Sequence, residues 1–247
     1  MKTESKFELC SAFLRSSSFW HDENPPESIE GPVITISQAA GARGNPIAEV
    51  LVHELNGNRV IPKFREWTTF NQTLVERVIE EHNLPKSSID FLAEDKRGRI
   101  ADYIGEALGL HKGAYTGVVK TAETILRIAQ SGNAVIVGRG ANFITRKIGM
   151  ALHIRLEGSL DIRIKSFAKI YGVTPAEAEK EVARRDRARR DYIQENFLED
   201  NQNPSHYDLV INTDNFSDSA AAHLIIAALE EKTSRFKADH EGVAMRI

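Results

Sequence analysis

Short apolar runs alternate with longer amphipathic segments along most of this chain. The runs are rich in β-branched residues, as buried strands are, and they lie at 33–37, 59–61, 134–138, 152–156 and 208–212. Between them, apolar positions recur at helical spacing over 45–55, 74–83, 118–130, 159–171, 175–199 and 217–231. Short strands separated by helices of this length need crossover connections. The pattern therefore predicts an α/β fold, with a parallel five-stranded sheet, helices on both faces and the first strand at the centre.

The first strand runs directly into a loop of small residues that opens a helix. Residues 41–45 read Gly-Ala-Arg-Gly-Asn, and Pro46 follows. Asn is a favoured helix N-cap, and Pro fits the first helical position. Backbone N–H groups and the positive end of the helix dipole point at whatever occupies such a loop, and phosphate is the usual occupant.

This loop departs from the Walker A motif. Gly44 stands where the motif has Lys, and Pro46 stands near the position of the motif's hydroxyl residue. Arg43 is the only cation in the loop. Because strand, glycine turn and helix occur in many α/β proteins, the loop alone does not decide the function.

Composition narrows the classes of function. The net charge of the 247 residues is -3, so no electrostatic reason exists to expect nucleic acid or an anionic membrane as a partner. A single cysteine, Cys10, excludes an intrachain disulfide. No apolar run reaches transmembrane length, and the first residues do not resemble a signal peptide, so we expect a cytoplasmic protein. The eight histidines are scattered singly, and we expect no metal bound directly by the chain.

The pattern also divides the chain. Residues 31–231 form the expected domain, after an N-terminal extension at 1–30 that ends in a polar, proline-broken linker. Phe19 and Trp20 in this extension suggest that it docks on the domain or on a second subunit of a homodimer. The weaker pattern at 84–112 suits a substrate-side insertion, and residues 232–247 are polar and expected to fray.

Arg139 is the first candidate binding residue. It follows the strand at 134–138 and lies between Gly138 and Gly140. Ligands in open α/β sheets bind at the carboxyl ends of the strands, and a guanidinium there can grip a phosphate. The alternative is an exposed arginine in an ordinary loop.

The helix predicted at 175–199 carries charge on its apolar side. Asp186 and Arg189 fall in the middle of an apolar stripe, whose other members are Ala178, Val182, Ile193 and Phe197. Charges that face inward need partners, and an anionic ligand is one candidate. The alternative is a solvated face joined by surface pairs such as Glu181 with Arg185, each contributing a few tenths of a kcal/mol.

In this order, the elements resemble the cytidylate kinase-like family of P-loop nucleoside monophosphate kinases over residues 33–230. The landmarks are the strand entering Gly41-x-x-Gly44 and the segments at 134–139, 160–165, 178–189 and 206–213. The resemblance implies a three-layer P-loop NTPase fold with a helical insertion and a lid, here at 172–200.

The resemblance also implies ATP-dependent phosphorylation of a nucleoside monophosphate, typically CMP or dCMP, with Mg²⁺. The sequence identifies no direct protein ligand for that metal. The ATP phosphates would be held by Gly41, Ala42, Arg43, Gly44 and Asn45. The acceptor nucleotide would be held by Arg139, Asp186 and Arg189. The catalytic residues would be Arg43, Arg185 and Arg189, and Arg185, Asp186 and Arg189 would belong to the lid.

Two classes of function remain open at this point. One is a kinase acting on a nucleoside monophosphate. The other is a catalytically degenerate protein of the same fold that binds or senses a nucleotide. Both require Arg139, Arg185 and Arg189 to face one cleft above the carboxyl ends of the strands, because like charges gather there only around an anion.

Overall fold

The computed structural model describes residues 31–57, 66–71, 73 and 117–244. The strands are β1 Val33–Gln38, β2 Thr68–Phe70, β3 Ala134–Val137, β4 Ala151–Glu157 and β5 Leu209–Asn212. The helices are α1 Gly44–Gly57, α2 Gly117–Gln130, α3 Ala141–Ile144, α4 Leu160–Tyr171, α5 Pro175–Phe197 and α6 Asp218–Ala244. Short 3₁₀ turns at Pro204–His206 and Thr213–Asn215 flank β5.

The five strands form one sheet in the order β2-β3-β1-β4-β5, and each pair is parallel. Ile34 of β1 lies opposite Val135 on one side and Leu152 on the other. The predicted parallel sheet, with its first strand central and next to the strand at 134–138, is confirmed.

Alternate residues of the central strands face two separate cores. Ile34 and Ile36 point toward the core formed with α1 and α6, whereas Val33 points toward the core formed with α2 and α3. On the first face, buried side chains of α1 such as Leu51 pack with α6 residues such as Ile225. Helices therefore cover both faces, and the sheet edge above the carboxyl ends of the strands is left for a site.

Some predictions fall outside the described residues. These are the extension at 1–30, the strand at 59–61, the helix at 74–83 and the insertion at 84–112. Within the described chain, the strand that precedes β3 in sequence is β2.

Helix α6 continues well past residue 231, where the sequence pattern predicted fraying. Lys232 donates hydrogen bonds to the carbonyl of Ala151 and to the carboxylate of Asp208, both at 2.6 Å. The ring of Phe236 lies where a Cβ on Gly149 would collide with it. These contacts with distant parts of the chain anchor the part of α6 that follows residue 231, although its sequence is polar. No helix within the described ranges is both long and apolar enough to cross a membrane.

A partly buried histidine lies on β4. The Nδ1 atom of His153 lies 2.8 Å from the hydroxyl of Thr35, and its backbone N–H donates to Asp208 at 2.7 Å. Burial lowers the pKa of His153 from 6.5 to about 4, with Asp208 raising it and Lys232 lowering it. The folded protein therefore keeps this imidazole neutral at a pH where the unfolded chain protonates it.

We expect His153 to make the fold acid-sensitive. As pH falls from about 6.5 toward 4, the unfolded state binds a proton that the folded state does not, so stability is lost across this window. The loss attributable to His153 is up to about 3 kcal/mol. Urea unfolding at several pH values should show a shallower pH dependence for His153→Gln. His223→Gln, at an exposed site, is the control and should keep the wild-type slope. Equal slopes for His153→Gln and the wild type would contradict the assignment.

Candidate functional site

A cavity of about 580 Å³ opens at the carboxyl ends of β1 and β3. Its walls are the end of β1, the turn after β3 and one side of α5. Four of the lining residues are cationic, namely Arg139, Arg184, Arg185 and Arg189, and none of the described lining residues is acidic. We call this the arginine cavity. Its lining charge is strongly positive, which suits an anionic ligand.

The turn after β3 places Arg139. Gly138, Arg139 and Gly140 have φ values of 84°, 58° and 67°, all in the left-handed region that favours glycine. A Cβ on Gly140 would overlap the ring of Phe197, so glycine there also lets the end of α5 pack against the turn. This close packing brings the Arg139 loop and α5 to opposite sides of one cavity.

Helix α5 begins at a complete capping box. The hydroxyl of Thr174 accepts from the N–H of Glu177, whose carboxylate accepts from the N–H of Thr174. The predicted apolar stripe is buried, and it comprises Ala178, Val182, Ile193 and Phe197. With that stripe against the protein, Arg185 and Arg189 line the cavity.

Aromatic rings support Arg185. Its guanidinium carbon lies 4.8 Å from the ring centre of Phe167 and 4.9 Å from that of Tyr171. It also donates to the hydroxyl of Tyr171 at 3.1 Å and to Glu181 at 3.4 Å. Such cation–π stacking fixes the plane of the guanidinium without neutralising its charge.

Arg189 has fewer hydrogen-bond partners than Arg185. Its Nη1 atom is buried without a hydrogen-bond partner, and the nearest carboxylate oxygen, Oδ1 of Asp186, lies 3.7 Å away. Burial lowers the pKa of the Arg189 guanidinium; Asp186 raises it, and the positive charges of Arg185 and Arg155 lower it further. An anion in the cavity would supply the missing acceptor and countercharge.

The loop after β1 is held by protein groups. The N–H of Ala40 donates to Oδ1 of Asp186 at 2.7 Å, and the N–H of Gly44 donates to Oε1 of Gln38 at 2.7 Å. Arg163 donates to Oδ2 of Asp186 at 2.7 Å and to the carbonyl of Ala40 at 2.9 Å. One N–H group of the predicted phosphate cradle, that of Gly44, and the N–H of Ala40 just before the cradle are thus occupied by side chains of the chain itself.

Arg43 is directed to the start of α6. Its guanidinium donates to the carboxylate of Asp218 and to the carbonyls of Thr213 and Phe216, each at 2.6 Å. The sequence prediction placed this cation among the ATP phosphates. Its three acceptors instead hold it on the opposite side of the loop, and it is not among the residues that line the arginine cavity.

With this geometry established, comparison with known proteins identifies the family. The family model described as the cytidylate kinase-like family matches residues 33–215. The chain belongs to the cytidylate kinase-like family. Its parallel five-stranded sheet, covered by helices on both faces, confirms the predicted α/β fold class. Membership makes it a kinase-like, nucleotide-binding type of protein.

Solved structures add to the description of the fold. An uncharacterised protein from Eubacterium ventriosum is 18% identical, with a TM-score of 0.58 over 81% of this chain and 99% of that one. Shikimate kinase from Bacteroides thetaiotaomicron is 11% identical, with a TM-score of 0.39 over 85% and 98% of the two chains. Shikimate kinase from Acinetobacter baumannii, in complex with shikimate, is 12% identical, with a TM-score of 0.39 over 80% and 92%. No curated protein matches. The first likeness concerns the fold alone, and the other two are too distant to bear on function.

The structure brings some of the predicted site residues together and separates others. Those that line the arginine cavity are Asn45, Arg139, Arg185 and Arg189. Asp186 lines a smaller neighbouring cavity of about 110 Å³, which Arg189 also borders. Gly41, Ala42, Arg43 and Gly44 are not among the residues that line either cavity. A Cβ on Gly41 would overlap the carbonyl of Arg163, so α4 packs directly on the loop there.

The described residues contain no group of three or more His, Cys, Asp or Glu that could hold a metal.

Sequence reasoning missed three residues of this site. Gln38 is the last residue of β1 and lies beside the loop. A polar side chain at the carboxyl end of a central strand indicates a binding site, so the sequence contained a signal for this residue. Asn142 follows Arg139 closely and lines the same cavity. Asn201 lies in the connection after α5 and lines both cavities, and no local pattern marks it.

We expect Arg43 to stabilise the fold. Arg43→Ala leaves Asp218 and two carbonyls without their donor, and it should lower the free energy of unfolding by about 2 kcal/mol. Chemical denaturation measures this change. Arg235→Ala removes an exposed arginine paired within α6 and should cost only a few tenths of a kcal/mol. If the two variants were equally stable, the three contacts of Arg43 would not hold the loop to α6.

Proposed function

We propose that this protein binds a nucleoside monophosphate such as CMP or dCMP in the arginine cavity and phosphorylates it from ATP. In this proposal, Arg139, Arg185 and Arg189 surround the phosphate of the acceptor nucleotide. The supporting observation is their convergence, since Arg139 lies 46 positions before Arg185 in sequence and yet lines the same cavity as Arg185 and Arg189, and the described lining of that cavity contains no acidic residue.

Electrostatics supports an anionic ligand. Two guanidinium groups at near contact repel by about 1–4 kcal/mol at water-like to intermediate dielectric. Glu181 offsets part of this charge through its ion pairs with Arg184 and Arg185. Asp186 offsets a further part beside Arg189, but it also accepts from Arg163 and from the N–H of Ala40. A dianionic phosphate in the cavity is the group that would bind two or three guanidinium forks at once.

Arg189 provides the test of this proposal. Arg189→Ala should weaken monophosphate binding about thirtyfold, because a charge-assisted hydrogen bond contributes about 2 kcal/mol. Calorimetry with CMP, dCMP, UMP, AMP and GMP measures affinity, and thermal unfolding should show little change. Arg187→Ala is the matched control on the same helix, since Arg187 is exposed and lines neither cavity.

Two outcomes would count against the proposal. One is that the wild-type protein binds none of the five monophosphates. The other is that Arg189→Ala unfolds the protein while the binding that remains is unchanged, which would mean that Arg189 is structural.

A second candidate function is nucleotide binding or sensing without phosphoryl transfer. It is favoured by the loop, where Gln38 occupies the N–H of Gly44, a group that ATP phosphates would need, and Asp186 occupies the N–H of Ala40 just before the predicted cradle. The loop also lacks the Walker A lysine, and Arg43 is engaged with α6. A coupled assay with ATP separates the two: turnover supports the kinase, whereas binding without turnover supports the sensor. ATP and Mg²⁺ are cofactors only of the first.

Gln38 should control access of ATP to the loop. Gln38→Ala frees the N–H of Gly44 at the start of α1 and should raise ATP affinity about tenfold. Gln38→Glu places a carboxylate at the same helix N-terminus and should lower ATP affinity. Calorimetry with ATP measures both, and Gln194→Ala, at an exposed position on α5, is the control. An unchanged ATP affinity in Gln38→Ala would show that this side chain does not obstruct the loop.

A further inference from the structure

Three residues that line the arginine cavity each carry a buried polar atom without a hydrogen-bond partner in the described part of the chain. These atoms are Nδ2 of Asn142, Oδ1 of Asn201 and Nη1 of Arg189. The two asparagines are each only 5% exposed. Buried polar atoms in folded proteins nearly always have partners, because an unsatisfied one costs about 1–3 kcal/mol. Two donors and one acceptor at one cavity therefore point to a ligand that completes them.

Asn142 is out of place in its own helix. It lies on α3, whose other residues Ala141, Phe143 and Ile144 are buried and apolar. An apolar residue would suit this position if packing were its only role. Its Nδ2 donor has no partner among the described residues, and the residue lines a cavity of arginines, so the position suits an acceptor on a bound molecule.

Within the described residues, Asn201 has an unpaired hydrogen-bond acceptor, whereas Asn142 has an unpaired donor. Its backbone carbonyl accepts from the hydroxyl of Tyr207 at 2.8 Å, which fixes the residue in the connection after α5. The side-chain Oδ1 is buried and has no donor, although Arg155 and Arg189 border the same smaller cavity. This oxygen can accept a hydrogen bond from a hydroxyl or amino group of a ligand.

We propose that Asn142 and Asn201 are ligand-binding residues of the arginine cavity, the first donating a hydrogen bond to the nucleoside monophosphate and the second accepting one. This inference rests on the proposed function and deepens it. The arginines recognise the phosphate, and the two asparagines select a phosphorylated molecule that also carries a hydroxyl or amino donor. Such a donor is present on the sugar of a nucleotide and on several bases.

The same Asn→Asp exchange should weaken ligand binding at Asn142 and leave it nearly unchanged at Asn201. Asn142→Asp removes the donor and adds a carboxylate facing the ligand, so affinity should fall at least about tenfold. Asn201→Asp keeps an acceptor oxygen, so affinity should stay within about threefold of the wild type. Asn201→Leu removes that acceptor and should weaken binding about tenfold. The probe is the tightest-binding monophosphate of CMP, dCMP, UMP, AMP and GMP, measured by calorimetry.

Asn142→Leu separates a ligand role from a structural one. Replacing an unsatisfied buried amide by an apolar side chain of similar size should leave the melting temperature of the nucleotide-free protein equal or higher. The rise in melting temperature that the monophosphate gives the wild type should nevertheless be lost. A lower melting temperature, or failure of Asn142→Leu to fold, would show that Asn142 is structural and overturn the inference.

The remaining outcomes distinguish the two proposals. If the wild type binds a monophosphate and Asn142→Leu binds it equally well, the asparagine inference fails and the proposed function stands. If the wild type binds none of the five, the proposed function fails and this inference fails with it.

Discussion

The carboxylate of Asp186 connects three parts of the site. One oxygen accepts from the N–H of Ala40 in the loop after β1, the other accepts from Arg163 on α4, and Arg189 lies next to it on α5. Because Arg163 also donates to the carbonyl of Ala40, the loop and both helices form one hydrogen-bonded unit. A buried or half-buried carboxylate is stable only with such partners. The position of α5 over the sheet edge, and so the convergence of Arg139 with Arg185 and Arg189, depends on this contact.

The loop is fixed from its other side by Arg43. Its backbone has a φ of 60°, a conformation that costs a non-glycine residue about 1 kcal/mol or more. Three hydrogen bonds from its guanidinium to the β5–α6 connection and Asp218 offset that cost. The loop is therefore held between α6 on one side and the α4–α5 pair on the other. Arg43, which the sequence predicts to bind phosphate, thus positions the backbone of the loop after β1 in this structure.

The periodicity of apolar residues predicted the strands and the buried side of α5. The apolar runs of β1 and β3, and the stripe of α5, follow from side-chain periodicity, and their burial agrees with it. The partners of Gln38, Arg43 and Asp186 do not follow from periodicity. Arg43 and Asp218 are 175 positions apart, and Ala40 and Asp186 are 146 apart, so these contacts exist only after the sheet has assembled. The extension of α6 past residue 231 has the same origin, since Lys232 reaches back to Ala151.

The two proposed functions, kinase and sensor, would use the same arginine cavity and differ in the loop. Both proposals need the positive surface made by Arg139, Arg185 and Arg189, because in either one the phosphate of a nucleotide would bind there. Phosphoryl transfer needs more, namely donors that hold the phosphates of a second nucleotide in line with the first. In this structure, the N–H of Gly44 at the start of α1 is paired with a neutral amide oxygen rather than a side chain of fixed charge. A neutral acceptor is displaced by a phosphate more readily than a carboxylate would be, since the helix dipole favours the charged group. The carboxylate that does contact the loop is that of Asp186. It accepts from the N–H of Ala40, one residue before the first glycine of the loop, and forms an ion pair with Arg163. The two proposed functions therefore differ in the loop, through its missing Walker A lysine, the engagement of Arg43 with α6 and the Gln38 side chain at the start of α1, and not in the sheet or the arginines.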